Sequence, residues 1–224
     1  QEITGEQKPV IQAWFLTHAH SDHIEAFVQA VEDDCLYIEN LYYNFPSEAF
    51  IEQYENAALY TIKAFHKALP MFKGCAHVLQ PCERITIGKM DFEILQVFDE
   101  TEISNAINNS SAVFRLTLNK KTVLFLGDAG IEAGNRLLEK YGEQLKSDIC
   151  QMAHHGQNGT TDKFYEMIKE KKVVLYAAKQ WIYDNDGGTG FNTANLTTLH
   201  MRDLVREWGV LRIYTQAAGR LLLE

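Results

Sequence analysis

The chain has 224 residues, 46% of them hydrophobic, with a formal net charge of −9 and a pI near 5.4. We predict a single domain over residues 1–224, because this length and apolar content suffice for one well-formed core. The acidic charge argues against a strong nucleic-acid-binding surface, and no apolar stretch approaches the roughly 20 residues that a membrane-spanning helix needs. A phosphodiester or small-molecule substrate is not excluded, because bound divalent metal ions can supply positive charge locally.

The first predicted strand leads into a cluster of potential metal ligands. Residues 8–16 form an apolar run, and His18, His20, Asp22 and His23 follow within six positions. Imidazole and carboxylate groups are ligands for zinc, manganese or iron. Side chains alternate along extended backbone, so His18 and His20 point one way and the next turn directs Asp22 and His23 toward a second point. The segment therefore predicts ligands for two metal ions, and the alternative is a polar loop with scattered histidines.

Helical and strand-like patterns alternate after this motif, which predicts a layered α/β or α+β fold. In chain order we expect a helix over residues 24–31, a strand over 35–43, a helix over 46–68, a hairpin over 83–97 and a polar loop over 99–110. His66 and His77 lie in this region. Neither is predicted to have a functional role.

A second hairpin ends in an aspartate flanked by glycines. Its strands are predicted over residues 111–118 and 122–127, and the second is almost wholly apolar and therefore central. Asp128 follows at the strand end, where a carboxylate can be held rigidly toward a cleft. We favour a metal ligand here. The alternative is an N-cap for the helix that starts near Ile131.

A pair of adjacent histidines follows the next predicted strand. After the helix over residues 131–145, a short strand over 148–152 leads to His154 and His155. Adjacent side chains at a strand end diverge, so one can bind a metal while the other faces substrate or supports a ligand.

The last quarter of the chain has no further clustered ligands. We expect a helix over residues 163–171, a strand over 173–178, a polar loop over 183–195, a helix over 197–208 and a hairpin formed by 211–214 and 221–223. The length of the polar loop suits a flap over a substrate site, and a surface loop is the alternative.

The combined motifs resemble the metallo-β-lactamase-fold hydrolases. The segments His18 to His23, Gly127-Asp128 and His154-His155-Gly156 are most similar to the hydrolase domain of the competence protein ComEC, and also similar to phosphorylcholine esterases. The resemblance covers nearly the whole chain and implies a four-layer αββα sandwich and phosphodiester hydrolysis. Relatives carry several strands before the histidine motif, and this chain opens without methionine. We therefore interpret it as a fragment that lacks some amino-terminal strands, with its localisation unknown and the cytoplasm as the default.

Carried over residue by residue, the resemblance implies two divalent metal ions, with zinc as the leading metal and manganese or iron as alternatives. The implied ligands are His18 and His20 for the first ion, Asp22, His23 and His154 for the second, and Asp128 as the bridge. Asp22 or His155 is then the proton shuttle, because these groups can exchange protons near neutral pH.

Two histidines that are typical of the family are absent. Asn109 or a water would replace the one that precedes the bridging aspartate, and Asn192, Asn195 and His200 are the nearest polar residues to the missing late histidine. Three functions therefore stay open. They are a phosphodiesterase or nuclease-like hydrolase, a thioester, lactone or lactam hydrolase of the same fold, and a degenerate binding module.

Overall fold

The computed structural model describes residues 5–157, 159–168, 173–176 and 198–215. The chain divides into two compact units, Gln1–Ala112 and Val113–Glu224. Within the described ranges, no helix is both long and apolar enough to cross a membrane.

The first unit contains three groups of paired strands and four α-helices among its described residues. Its elements are β1 (Val10–Ile11), β2 (Trp14–Phe15), α1 (Ser21–Glu32), β3 (Tyr37–Ile38), β4 (Leu41–Tyr43), α2 (Glu48–Tyr54), α3 (Leu59–Ala68), β5 (Ala76–Val78), β6 (Arg84–Ile87), β7 (Met90–Gln96) and α4 (Ala106–Asn109). Strands β2, β4 and β5 form a parallel sheet, β1 pairs with β3 in parallel, and β6 and β7 form an antiparallel hairpin.

Strand β2 alternates between two packing partners. Trp14 contacts Phe27 of α1 edge-on, with ring centroids 5.6 Å apart. Phe15 faces the opposite side, where it stacks on Tyr42 of β4 and Phe92 of β7 at 4.6 Å each. The helices therefore cover one face of this sheet, and the β6–β7 hairpin contacts the other face. Packing on both faces holds the end of β2, from which the histidine motif follows.

The helical side of the first unit is an aromatic core. Phe27 of α1 and Phe65 of α3 are fully buried, and Phe72 is 8% exposed. The ring centroid of Phe27 lies 6.0 Å from that of Phe65 and 5.4 Å from that of Phe72. Burying a phenylalanine side chain stabilises a fold by about 1.5–3 kcal/mol, so this cluster anchors α1 firmly.

Three predicted elements of the first unit are interrupted. The strands expected over residues 8–16 and 35–43 are each two short strands, and the helix expected over 46–68 begins at its Ser47 cap but breaks at Glu55. Glu55 has φ −154° and ψ 58°, which are not helical angles. Neither glycine nor proline lies near this break, and the Glu55 side chain makes contacts with residues distant in the chain.

The second unit is built on one sheet. Its elements are β8 (Val113–Leu118), β9 (Lys121–Phe125), α5 (Ile131–Tyr141), β10 (Ile149–Gln151), α6 (Asp162–Met167), β11 (Val173–Tyr176), α7 (Thr198–Glu207) and β12 (Arg212–Thr215). The order is β12-β11-β10-β9-β8, with β8 and β9 antiparallel, as the predicted second hairpin requires, and the other pairs parallel. The predicted strand over 221–223 and the predicted loop over 183–195 lie outside the described residues.

The parallel strands β9 and β10 place two predicted site segments at one sheet edge. Leu124 of β9 is level with Cys150 of β10, and both side chains are buried. Asp128 follows β9 and the histidine pair follows β10. Because the carboxyl ends of parallel strands meet at one edge, both segments belong to the same side of the second unit.

Candidate metal centre

The histidine motif occupies the turn between β2 and α1. His18 is fully buried, and its ring centroid lies 5.0 Å from that of His20 and 4.1 Å from that of His23. Helix α1 begins at Ser21, three residues earlier than predicted, so Asp22 and His23 belong to its first turn. The structure therefore gathers the three imidazoles of the motif into one cluster.

Two hydroxyl groups orient the ring of His18. Thr17 Oγ1 lies 3.1 Å and Ser111 Oγ 3.3 Å from His18 Nδ1. An Nδ1–H group that donates to a hydroxyl leaves the lone pair on Nε2. In that tautomer, Nε2 is the nitrogen of His18 that a metal ion would take.

A carboxylate contacts the ring of His20 at Nε2. Glu55 Oε1 lies 2.6 Å from His20 Nε2, and Glu55 Oε2 accepts a 3.0 Å hydrogen bond from the backbone N–H of Ile107. Burial raises the pKa of the Glu55 carboxyl, but the hydrogen bonds from His20 and Ile107 and the charge of His20 outweigh burial and hold the pKa below its ordinary value. Glu55 is therefore a carboxylate that sequence patterns did not single out.

Asp22 and His23 are adjacent and differ in exposure. The Asp22 side chain is 59% exposed, and its Oδ2 lies 3.6 Å from Nε2 of His23, whose side chain is 18% exposed. A carboxylate in the first turn of a helix interacts favourably with the amino-terminal end of the helix dipole. Asp22 thus places a carboxylate oxygen beside the imidazole cluster with access to solvent.

Asp128 is a buried carboxylate and does not cap a helix. Its side chain is 3% exposed, and Gly130 occupies the N-cap position of α5, so the capping alternative is wrong. The Gln151 side chain holds the preceding turn, because its Oε1 accepts from the backbone N–H groups of Leu126 at 2.9 Å and Gly127 at 3.0 Å. Gln151 is a second residue that sequence patterns missed.

The histidine pair follows β10 in an unusual backbone conformation. His154 has φ 48° and His155 has φ 57°, so both adopt left-handed angles that non-glycine residues rarely take. Such residues cost about 1–3 kcal/mol each and concentrate at functional sites. Asp128 Oδ2 lies 3.4 Å from His155 Nε2 and 4.0 Å from His154 Nε2.

Backbone hydrogen bonds on both sides hold this strained turn. The N–H of His154 donates to the carbonyl of Gly127 at 3.1 Å, and the N–H of Ala153 donates to the Tyr165 hydroxyl at 3.0 Å. Burial raises the pKa of Tyr165, so its hydroxyl stays protonated over the physiological range. Tyr165 is the third residue of the site that sequence patterns missed.

The remaining polar residues singled out in the sequence have other partners. His66 contacts Glu48, His77 contacts Asn40 and His200 contacts Asp162, each through a side chain that is partly or well exposed. The side chain of buried Asn109 donates to the carbonyl of Ser104 at 2.7 Å. Asn192 and Asn195 lie outside the described residues.

The residues of both segments fit divalent metal ions. The motif over residues 18–23 offers three clustered imidazoles and an aspartate. The turns that follow β9 and β10 offer a buried aspartate beside two imidazoles. Nitrogen and carboxylate oxygen donors of this kind suit zinc, manganese and iron.

Comparisons with known proteins identify the fold. No protein-family model and no curated protein sequence matches the chain. A variant of CmlA, a diiron β-hydroxylase from Streptomyces venezuelae, is 14% identical with a TM-score of 0.52, over 93% of this chain but only 43% of that protein. A candidate metal-dependent hydrolase from Parabacteroides distasonis is 16% identical with a TM-score of 0.51, over 92% of this chain and 76% of that one.

A third similar structure is a protein from Bacillus subtilis. YhfI from Bacillus subtilis, described as a metallo-β-lactamase fold protein, is 12% identical with a TM-score of 0.47, over 92% of this chain and 75% of that one. The predicted mixed α/β class is confirmed, and the chain shares its fold with the CmlA variant and the Parabacteroides distasonis protein. Identities this low show the fold alone, so the activities of these proteins do not transfer to this chain.

Proposed function

We propose that this chain is a metal-dependent hydrolase that cleaves phosphodiesters with two divalent metal ions, zinc being the leading metal. The observation that carries the proposal is the burial of Asp128, whose carboxylate is 3% exposed and lies 3.4 Å from His155. A buried carboxylate needs nearby positive charge, which a protonated imidazole or a bound cation supplies. The tight imidazole cluster of His18, His20 and His23 adds donors of the same chemical kind.

The proposed ligand set follows from the sequence motifs and the local geometry. It comprises His18, His20, Asp22, His23, Asp128 and one histidine of the 154–155 pair. Bound divalent ions in such sites supply an activated water and positive charge for phosphoryl oxygens. We propose that Asp128 would be the ligand shared by both ions, because its carboxylate is buried and lies beside both histidines of the pair.

The two histidines of the pair divide the remaining roles. His155 Nε2 is nearer to Asp128 Oδ2 than His154 Nε2, at 3.4 Å against 4.0 Å. These distances favour His155 as the metal ligand and His154 as the proton-transfer group, which exchanges the roles predicted from the sequence. Asp22, with its 59% exposed side chain, is the other proposed proton carrier, since its carboxylate can pass protons to solvent.

The charge of the chain supports a small phosphodiester or a nucleotide-like substrate. With a net charge of −9, the chain lacks the basic excess with which proteins bind long nucleic acids. Phosphodiester chemistry is implied by the resemblance to ComEC-like hydrolases and phosphorylcholine esterases. The absence of two family histidines from the sequence favours a second candidate, a binding module that has lost turnover.

A substrate comparison tests the proposal. Protein reconstituted with zinc or manganese should hydrolyse bis-p-nitrophenyl phosphate faster than a thioester or a lactone, and a chelator should abolish the reaction until metal is restored. His23→Ala should lower the rate by more than about 100-fold, since losing a metal ligand should exceed the 10–100-fold cost of losing a ligand's support. His66→Ala is the matched control and should retain the wild-type rate.

The other outcomes identify the alternatives. Faster hydrolysis of the thioester or the lactone would reassign the substrate class and contradict phosphodiester cleavage. Metal binding without turnover of any of the three would support the binding module.

A further inference from the structure

The helical stretch after β4 breaks at a residue that has no local reason to break it. Residues 54–58 are Tyr-Glu-Asn-Ala-Ala, in which glutamate and alanine favour helix. Even so, α2 ends at Tyr54, Glu55 takes φ −154° and ψ 58°, and α3 begins at Leu59 after one short turn. Breaks against local preference are expected where a residue serves a site rather than its own element.

The side chain of Glu55 explains the break. Its two oxygens take two different donors, Nε2–H of His20 at 2.6 Å and the backbone N–H of Ile107 at 3.0 Å. These partners lie 35 and 52 residues away along the chain, and the Glu55 side chain is 27% exposed. A continuous helix would direct Glu55 along the helix surface, so the break serves to deliver the carboxylate to His20.

We propose that Glu55 is a positioning residue for metal binding, which rests on the proposed function. By accepting from Nε2–H, Glu55 holds the tautomer in which the lone pair of His20 is on Nδ1. The partners of His18 Nδ1 are hydroxyls, which can donate or accept, so only the carboxylate at His20 selects one tautomer. Carboxylates behind metal-binding histidines fix ring orientation and raise ligand basicity.

The chain contains a matched carboxylate–histidine pair away from the motif. Glu48 Oε1 lies 2.6 Å from His66 Nδ1, the same separation as between Glu55 and His20. Glu48 is in the first turn of α2 and His66 is near the end of α3, and the helical backbone continues through both. Replacing Glu48 therefore removes a similar contact without touching the histidine motif.

Three variants separate positioning from general stability. Glu55→Met removes both acceptor oxygens at nearly constant length, Glu55→Gln restores one of them, and Glu48→Met is the control. We expect zinc affinity to fall 10–100-fold in Glu55→Met and by less in Glu55→Gln, with Glu48→Met equal to wild type. Equal losses in Glu48→Met and Glu55→Met, or wild-type affinity in Glu55→Met, would overturn the inference.

A measurement on metal-free protein tests the role of Glu55 independently of whether the chain binds metal. Histidine ¹⁵N NMR at about pH 8.5, two units above the ordinary histidine pKa, should show His20 protonated at Nε2 in wild type and in Glu48→Met. In Glu55→Met the same ring should show mixed tautomers. If wild type binds no metal, the proposed function fails while this comparison still decides whether Glu55 holds His20.

Metal-loaded wild type gives a further result that needs no variant. His20 should keep its Nε2 proton after zinc is added, and its Nδ1 resonance should shift. A zinc ion bound at Nε2 would displace that proton and overturn the inference.

Discussion

Replacing Asp128 by asparagine should lower phosphodiester turnover by more than about 100-fold, a larger loss than replacement of a ligand's supporting residue. Asparagine keeps the shape of the side chain but removes the negative charge, and its amide places donors where the carboxylate has only acceptors. The Asp128 side chain is 3% exposed, so solvent water cannot take over the interactions that the carboxylate makes. Steady-state rates with bis-p-nitrophenyl phosphate measure the effect.

Asp162→Asn is the matched control for this substitution. Asp162 also pairs with a histidine, at 2.8 Å from His200, but its side chain is 48% exposed at the start of α6. Surface changes of this kind shift stability by about 0.5 kcal/mol or less, and turnover should stay at the wild-type value. Wild-type turnover in Asp128→Asn would remove Asp128 from the proposed ligand set.

Replacing Phe27 by alanine should lower the free energy of unfolding by about 3–5 kcal/mol, the range for a buried phenylalanine. Phe27 is fully buried and its ring contacts Trp14, Phe65 and Phe72. The substitution opens a cavity beneath α1, whose first turn carries Asp22 and His23. Urea unfolding measures the change, and such a loss is a large fraction of the 5–15 kcal/mol typical of domains.

Tyr60→Ala provides the comparison for this aromatic deletion. Tyr60 lies on α3, which packs against α1, but it is 60% exposed, so its loss should change the unfolding free energy by about 0.5 kcal/mol or less. A loss below about 1 kcal/mol in Phe27→Ala would show that the aromatic core does not anchor α1 as described.

Local patterns predict most of the strands and the position of the two ligand-rich segments. The hairpins over residues 83–97 and 111–127 form where alternation and turn residues indicate them, as β6–β7 and β8–β9. The histidine motif is visible because its ligand types are close together in sequence. These features depend on neighbours within a few residues, which a single sequence displays directly.

The supporting residues could not be predicted because their partners are distant in sequence. Glu55 meets His20 across 35 residues, Gln151 meets Gly127 across 24, and Tyr165 meets Ala153 across 12. Each lies in a segment whose composition is ordinary for a helix or a strand. The break at Glu55 shows how such a contact overrides helix propensity, which contributes less than about 1 kcal/mol per residue.

The backbone conformation of the histidine pair could not be predicted either, because it also depends on tertiary hydrogen bonds. Left-handed angles are expected of glycine or asparagine, and His154 and His155 adopt them because the hydrogen bonds of Ala153 and His154 to Tyr165 and Gly127 hold the turn. The sequence pattern predicts that the pair lies at a strand end, with diverging side chains. It does not predict the left-handed turn, on which the distance of each ring from Asp128 depends.

Metal content tests the central claim most directly. Elemental analysis of wild type and Asp128→Asn, purified without chelator and after reconstitution with zinc, should give close to two ions per wild-type chain. The substituted chain should bind markedly less. Absence of bound metal from wild type, even after reconstitution, would contradict the proposed metal-dependent hydrolase.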